Sequence, residues 1–363
     1  NNKKHGQGKM TYTNGDVYEG QWVNNKKHGQ GIMVAREESI SAMFPYGYKT
    51  SWPKLRFCAY DGNWKEDKRH GDGTQIFMDD NDKEYVYEGQ WKNDMKNGKG
   101  LYNIDWKDYS YDGQWKDNNP HGEGSESTKK YNYDGQFKDG KKHGKGKIEH
   151  RGLRDVDVYE GEWKDGKKDG YGESLQDFGE GEDKYGNTVA KQLKYKGKWK
   201  DGMKHGKGVG MYYGYGYDWI KYEGDWNYDY EEGKGIMSWS SGRQYTGDFK
   251  EGKKHGKGVE KNFVGKDLKL LYKGNWVEDD LIDGDYHLYQ DGVYSYTKYD
   301  SKDSPDGSVS VVKTEDTTRA REGLEEFNKV RVNFLREGFG KRRKKIRKRK
   351  KIKRRKKIRK RKK

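Results

Sequence analysis

One five-residue phrase returns ten times along this chain: Tyr, any residue, Gly, any residue, then Trp or Phe. It opens at Tyr18, Tyr60, Tyr87, Tyr111, Tyr133, Tyr159, Tyr195, Tyr222, Tyr245 and Tyr272. A charged or Asn-rich turn follows each phrase, and in nine of the ten a Gly-x-Gly comes next, often preceded by His. Thus Tyr18-Glu19-Gly20-Gln21-Trp22 leads to His28-Gly29-Gln30-Gly31. Starts lie 22 to 27 residues apart, except across two longer gaps. A fixed period of this size means a repeat array, whose units bury their apolar faces only by stacking on neighbours. Such an array displays surface rather than enclosing one catalytic pocket.

Within a unit the pattern is that of a strand. Tyr18, Gly20 and Trp22 fall on one face, and Glu19 and Gln21 on the other. Val23 to Lys27 read as the turn, and His28 to Met33 as the returning strand with Gly29 and Gly31 on one face. Asn14-Gly15 predicts a two-residue hairpin turn between units, and Ser241-Gly242 does the same before Tyr245. The glycines need a reason, since Gly weakens a strand. The expected one is steric: an aromatic ring from a neighbouring strand lies flat on bare backbone. The predicted fold is all-β, an elongated single-layer antiparallel meander of about twenty strands. At about 4.8 Å per strand it would be roughly 95 Å long. Its predicted repeat core is Tyr18, Gly20, Trp22, Tyr60, Trp64, Tyr87, Trp91, Tyr111, Trp115, Tyr133, Gly135, Phe137, Tyr159, Trp163, Tyr195, Trp199, Tyr222, Trp226, Tyr245, Phe249, Tyr272 and Trp276.

Composition agrees once the aromatics are weighed. Only 29% of residues are hydrophobic and 38% are charged, which on averages alone suggests disorder. But 30 Tyr, 12 Trp and 10 Phe at regular spacing bury large areas. The net charge of +17 is local: residues 341–363 hold 20 Lys or Arg and no acid, leaving 57 basic against 60 acidic residues elsewhere. Cys58 is the only cysteine, so no intramolecular disulfide or thiolate metal cluster forms. No apolar run of 18 residues exists to make a membrane helix. The chain starts at Asn1 inside a repeat, and a longer natural protein is expected upstream.

The phrase Tyr-[Glu/Asp]-Gly-x-Trp followed by His-Gly-x-Gly resembles the MORN repeat (membrane occupation and recognition nexus) over roughly residues 1–298. The resemblance implies scaffolding, dimerisation through the sheet and, in some members, association with anionic membranes. Radial-spoke head proteins of cilia and plant-type phosphatidylinositol phosphate kinases are among similar proteins. They suggest two alternatives: a ciliary or cytoskeletal structural subunit, or the regulatory repeat region of a larger enzyme. No kinase or SET-type methyltransferase segment follows the array here. Asn97, Asp169 and Glu232 replace the repeat histidine, and the unit at Tyr272 lacks the second glycine of its Gly-x-Gly. A worn strand at Tyr294-Ser295-Tyr296 follows it, as expected of a capping position.

Two insertions interrupt the array. The first carries Phe44, Tyr46 and Trp52 and is the candidate partner loop; the alternative is a loop folded over a sheet edge. The second, Gly179 to Asp183, is polar. Seven His-Gly pairs recur one per unit, about 10 Å apart, too far to share a metal ion. They read as structural, packing on rings or capping turn carbonyls. Glu19, Asp61, Glu88, Asp112, Asp134, Glu160 and Glu223 share one slot and read as cross-strand partners of turn lysines. Gly140 to Gly146 lacks phosphate-loop spacing. No catalytic set, cofactor site or small-molecule substrate is expected, and the chain reads as a non-enzyme.

Periodicity stops near Tyr299. Residues 299–317 read as linker, and 318–340 as an amphipathic helix with Leu324, Phe327, Val330 and Phe334 three or four apart. Residues 341–363 form a polybasic tail, expected to be disordered, whose candidate polyanion contacts are Lys341, Arg342, Arg343, Lys344, Lys345, Arg347, Lys348, Arg349 and Lys350. Anionic membrane lipids, acidic tubulin tails or RNA, and a nuclear-import role compete for it. The expectation is a cytoplasmic scaffold, membrane- or cytoskeleton-associated, that binds proteins, itself included, and docks through its tail on a phosphoinositide-bearing surface.

Overall fold

A computed structural model of the chain describes residues 2–36, 55–79, 81–152, 156–182, 188–214, 218–265, 267–290 and 293–300. Among the described residues it is nearly all β, with 22 strands and one 3-10 turn at Asp105–Lys107. Contacts divide the chain into two compact units: residues 1–217 with 226–229, and residues 218–225 with those from 230 on. In the first, fifteen strands run from Gly6–Thr11 to Met203–Tyr213, each antiparallel to the next in chain order. In the second, six strands from Tyr230–Trp239 to Val293–Asp300 pair the same way. The worn segment Tyr294-Ser295-Tyr296 lies in that last strand. Each unit is a single-layer meander, since no second sheet or helix covers either face among the described residues.

The turns fall differently from the expectation. Strands Val17–Val23 and Lys26–Arg36 leave only Asn24 and Asn25 between them. Both have positive φ, 50° and 69°, and the same holds for the two turn residues of all ten hairpins. This is the turn whose twist matches paired strands, and Asn, Asp and Gly tolerate it best. So the tight two-residue turn lies inside each unit. Asn14-Gly15, expected to form one between units, does not. Gly15 alone is left-handed (φ 82°), its amide donating to Tyr12 O at 2.9 Å to close a longer turn. Gly242 repeats this, donating to Trp239 O at 3.1 Å.

The two glycines of Gly-x-Gly do separate jobs, which the expectation of one shared face missed. The first is conformational. Gly29 has φ 61°, and the ladder slips there from Gly20↔Gly31 to Trp22↔Lys27, setting His28, Gly29 and Gln30 against Gln21 alone. Three residues against one make a special, larger bulge, with a left-handed glycine at its centre. The second is steric. Gly31 faces Gly20 in its own hairpin and Gly62 in the next, so glycines line up strand after strand.

The tyrosine lies over this row within its own hairpin, over Gly20 of its own strand and over Gly31 of the neighbouring strand. A Cβ at Gly20 would meet Gln30 O at 2.6 Å and Tyr18 Oη at 2.7 Å, and one at Gly31 would meet Tyr18 Cζ at 2.6 Å. The tryptophan makes the inter-unit contact: Trp22 packs back on Gly8, its Nε1 donating to Gly8 O at 3.1 Å. The ring is thus flat on the sheet for a packing reason, and each unit is clamped to the one before it.

The second insertion lengthens a hairpin instead of forming a polar loop. Strands Lys167–Glu182 and Thr188–Lys200 stay paired out to Glu182↔Thr188. Ala35, Cys58, Phe77, Tyr85 and Ile104 build a small cluster beyond the tyrosine row, with Phe77 stacked on Tyr85 at 5.3 Å. Phe44, Tyr46 and Trp52, the 318–340 helix and the basic residues from Lys341 to Lys350 lie outside the described residues.

Candidate binding surface

Repetition turns the local packing into two continuous faces. On one face the tyrosines Tyr18, Tyr60, Tyr87, Tyr111, Tyr133, Tyr159, Tyr195, Tyr222 and Tyr245 are buried to within 1%. Each hydroxyl donates to the carbonyl three residues on, from Tyr18 to Gln21 O at 2.9 Å through Tyr245 to Asp248 O at 3.1 Å. Burial pushes these phenols up, Tyr18 to about 12, so they stay protonated donors. Tyr272 departs from the row: half-buried, it packs on Tyr286 at 4.9 Å.

The large rings alternate with these tyrosines. Tyr18 meets Trp22 of its own unit at 5.0 Å and Trp64 of the next at 5.6 Å, both edge-on. The alternation continues through Tyr60, Trp91, Tyr87, Trp115, Tyr111, Phe137, Tyr133, Trp163, Tyr159, Trp199, Tyr195 and Trp226. In the second unit it runs Tyr222, Phe249, Tyr245, Trp276. Edge-to-face pairs contribute about 0.5–1.5 kcal/mol each beyond burial.

A third element went unread in the sequence: a cation over the repeat Trp rings, Trp163 excepted, where Lys142 lies over Tyr133 at 5.0 Å instead. Lys4, Lys27, Arg69, Lys96, Lys168, Lys204 and Lys254 lie 3.8–4.9 Å from the ring of a Trp in the following hairpin. Burial pushes Lys27 and Lys168 down, and Lys96 down to about 7 with a further contribution from Arg69. Where the following ring is Phe, the cation is gone: Pro120 precedes Phe137, and Glu231 precedes Phe249. Phe offers the weaker cation site, which explains the pairing. The signal was present as a Lys or Arg just before the repeat histidine. The turns use the backbone of these same residues: Lys27 N donates to Asp67 Oδ1 at 2.8 Å, and Asp67 N to Lys27 O at 3.0 Å.

The repeat histidines sit at these junctions. His121 Nδ1 lies 3.4 Å from both the amide and the carboxylate of Asp139, and His143 is placed likewise against Asp165. The imidazole thus accepts from a turn amide rather than capping a turn carbonyl. Among the described residues no group of three or more His, Cys, Asp or Glu is placed to hold a metal.

On the opposite face the acidic slot does not pair with turn lysines. Glu19 pairs with Lys9 at 3.2 Å, directly across the ladder, Glu223 with Lys221 at 3.1 Å along its own strand, and Asp134 bonds Ser125. The turn lysines are drawn to the rings instead. An open groove of about 570 Å³ crosses this face near Gly135, Gly146 and Gly161, walled by Asp134, Lys147 and Glu160. Its charges alternate across strands (Lys147 faces both Asp134 and Glu160), giving no convergent set for one substrate.

The MORN-repeat model matches residues 1–17, 18–36, 60–81, 87–103, 111–130, 133–149, 159–174, 195–209, 222–242 and 245–262. The match thus takes in the half unit at the N-terminal end and stops before the unit at Tyr272. Comparison with curated proteins gives no match. With ten repeats matched over half its residues, and a meander in which every matched phrase forms the expected hairpin, the chain belongs to the MORN-repeat family.

Proposed function

We propose that this chain is a non-enzymatic scaffold. Its repeat sheet binds proteins, a second copy included, and its basic segment 341–363 holds the assembly at an anionic, phosphoinositide-bearing membrane surface on the cytoplasmic side. MORN repeats mark a repeat-built binding scaffold of membrane-associated kind. The observation that carries the reading is ten matched repeats laid out as single-layer meanders with both faces open among the described residues. Segregated charge supports the anchor: a body with 57 basic and 60 acidic residues precedes a tail with 20 basic and none acidic. Each basic residue near an anionic leaflet gains on the order of 1 kcal/mol, and salt screens that attraction.

Sedimentation with vesicles tests this reading. The full chain and a version ending at residue 340 are mixed with phosphatidylcholine vesicles, with and without phosphatidylserine and phosphoinositide. The expected result is binding by the full chain to anionic vesicles only, weakened by salt and lost on truncation. Equal binding to neutral vesicles would falsify the anchor. Microtubule co-pelleting of the same two proteins separates membrane docking from a cytoskeletal role on acidic tubulin tails.

A further inference from the structure

The face opposite the tyrosines is charged over most of the first unit but apolar at its N-terminal end. Val17, Val34, Ala59, Ile76 and Val86 stand directly opposite one another across five successive strands, all half-buried. Phe57 and Met78 widen the stripe on one side, and Ile32 (46% exposed) and Leu101 (41% exposed) on the other. It ends where Val86 meets Asn103 and Asn103 meets Ser110. The tyrosine side of these strands is already covered by its own rings, with Ala35, Cys58 and Phe77 beneath. Strands apolar on both faces belong to sheets covered on both faces, and a contiguous apolar patch on a sheet marks an interaction site.

The border of the stripe says what covers it. Along the Ile32 and Leu101 side, Asp61, Glu88 and Asp112 occupy the same row on alternate strands. All three are exposed, and none has an ion-pair partner among the described residues. Two strands span about 9.6 Å, and seven residues of α-helix rise about 10.5 Å. A helix crossing the strands would therefore bring a basic residue to each carboxylate once per heptad. The stripe spans four inter-strand steps, about 19 Å, which matches about 13 helical residues.

We infer that the Val17–Val86 stripe, with its Asp61, Glu88 and Asp112 border, docks an amphipathic helix of a partner protein carrying Lys or Arg along one flank. This rests on the reading of the sheet as a protein-binding scaffold and names the chemistry of its partner. Apolar residues fill the stripe, and the carboxylates set the direction and register of the helix, as polar borders do at helix-in-groove interfaces.

The test uses the full chain and a fluorescein-labelled two-heptad peptide with Leu on its apolar face and Lys along one flank, beside a twin with Glu along that flank. Fluorescence anisotropy at near-physiological salt is expected to show binding of the Lys peptide only. Ile76→Asp should weaken it at least tenfold. The double change Asp61→Lys, Glu88→Lys touches only exposed side chains, so the fold survives, and preference should switch to the Glu peptide. Equal binding of both peptides to the unmodified chain, or no switch, overturns the proposal. So does binding that emerges only when residues 38–53 are replaced by a Gly-Ser linker, because the chain then covers the stripe itself. Loss of self-association in Ile76→Asp without peptide binding makes a second copy the occupant and also overturns it. A negative peptide result beside intact tail-dependent vesicle binding would sink this inference and leave the scaffold reading standing.

Discussion

Gly146→Ala separates the packing account of the glycine row from a purely conformational one, because the two predict opposite signs. Gly146 is extended, so Ala suits its backbone and on that ground alone would stabilise by about 0.4–1 kcal/mol through the unfolded chain. The added Cβ, however, would meet Tyr133 Cζ at 2.5 Å and Cε2 at 2.6 Å. Overpacking of this kind costs about 1–3 kcal/mol. Lifting the ring also breaks the Tyr133 hydroxyl bond to Gln136 O (3.0 Å), worth about 1 kcal/mol. The expected net loss is about 2–3 kcal/mol. Gly166→Ala is the control: its φ is 86° with nothing within 4 Å, so it carries only the left-handed penalty of about 1–2 kcal/mol. Urea unfolding followed by circular dichroism reads the global effect. Hydrogen exchange over Tyr131–Arg151 reads the local one, since a repeat array opens piecemeal. In a Tyr133→Phe background the Gly146→Ala penalty should shrink, because the hydroxyl contact and its bond are already gone. A neutral or stabilising Gly146→Ala would refute the slot.

Two further predictions concern the cations. Folded Lys96, pushed down to about 7 by burial, binds fewer protons than its unfolded form between about 7 and the ordinary 10.5. Stability should therefore rise with pH across that window, and Lys96→Met should flatten the rise in urea midpoints between pH ~7 and ~10. Phe137→Trp together with Pro120→Lys rebuilds the cation–ring pair found at the other hairpins. A double-mutant cycle should give a favourable coupling of about 0.5–2 kcal/mol, and additive single effects would contradict the pairing.

The period alone fixes the class of fold, and the reason is local: Tyr-x-Gly-x-Trp alternates with the pleat, so strand identity and face are legible one unit at a time. That is why Tyr18, Trp22 and their counterparts could be named as core from the sequence. The position of the tight turn was also written there, as Asn24-Asn25 or Asp165-Gly166. The turn inside the unit was read in the right place, Val23 to Lys27, but too long, and Asn14-Gly15, with an equally strong signature, drew the two-residue turn to the connection between units. The two roles of the glycines were harder to read. A left-handed bulge at Gly29 and a ring over Gly31 leave the same residue type in the sequence, and only the register slip at Trp22↔Lys27 tells them apart.

What sequence by itself determined is therefore the repeat, its hairpin and its aromatic face, because these depend on residues within one period. Which glycine each Trp reaches, the cation laid over most of the following Trp rings, and the apolar stripe from Val17 to Val86 were decided by tertiary structure alone. Those contacts join residues from different units, and their partners are set by ladder register rather than by distance along the chain. Val34 and Ala59 are 25 positions apart in sequence yet directly opposite in the sheet. No reading of either strand alone shows that the five apolar side chains form one surface.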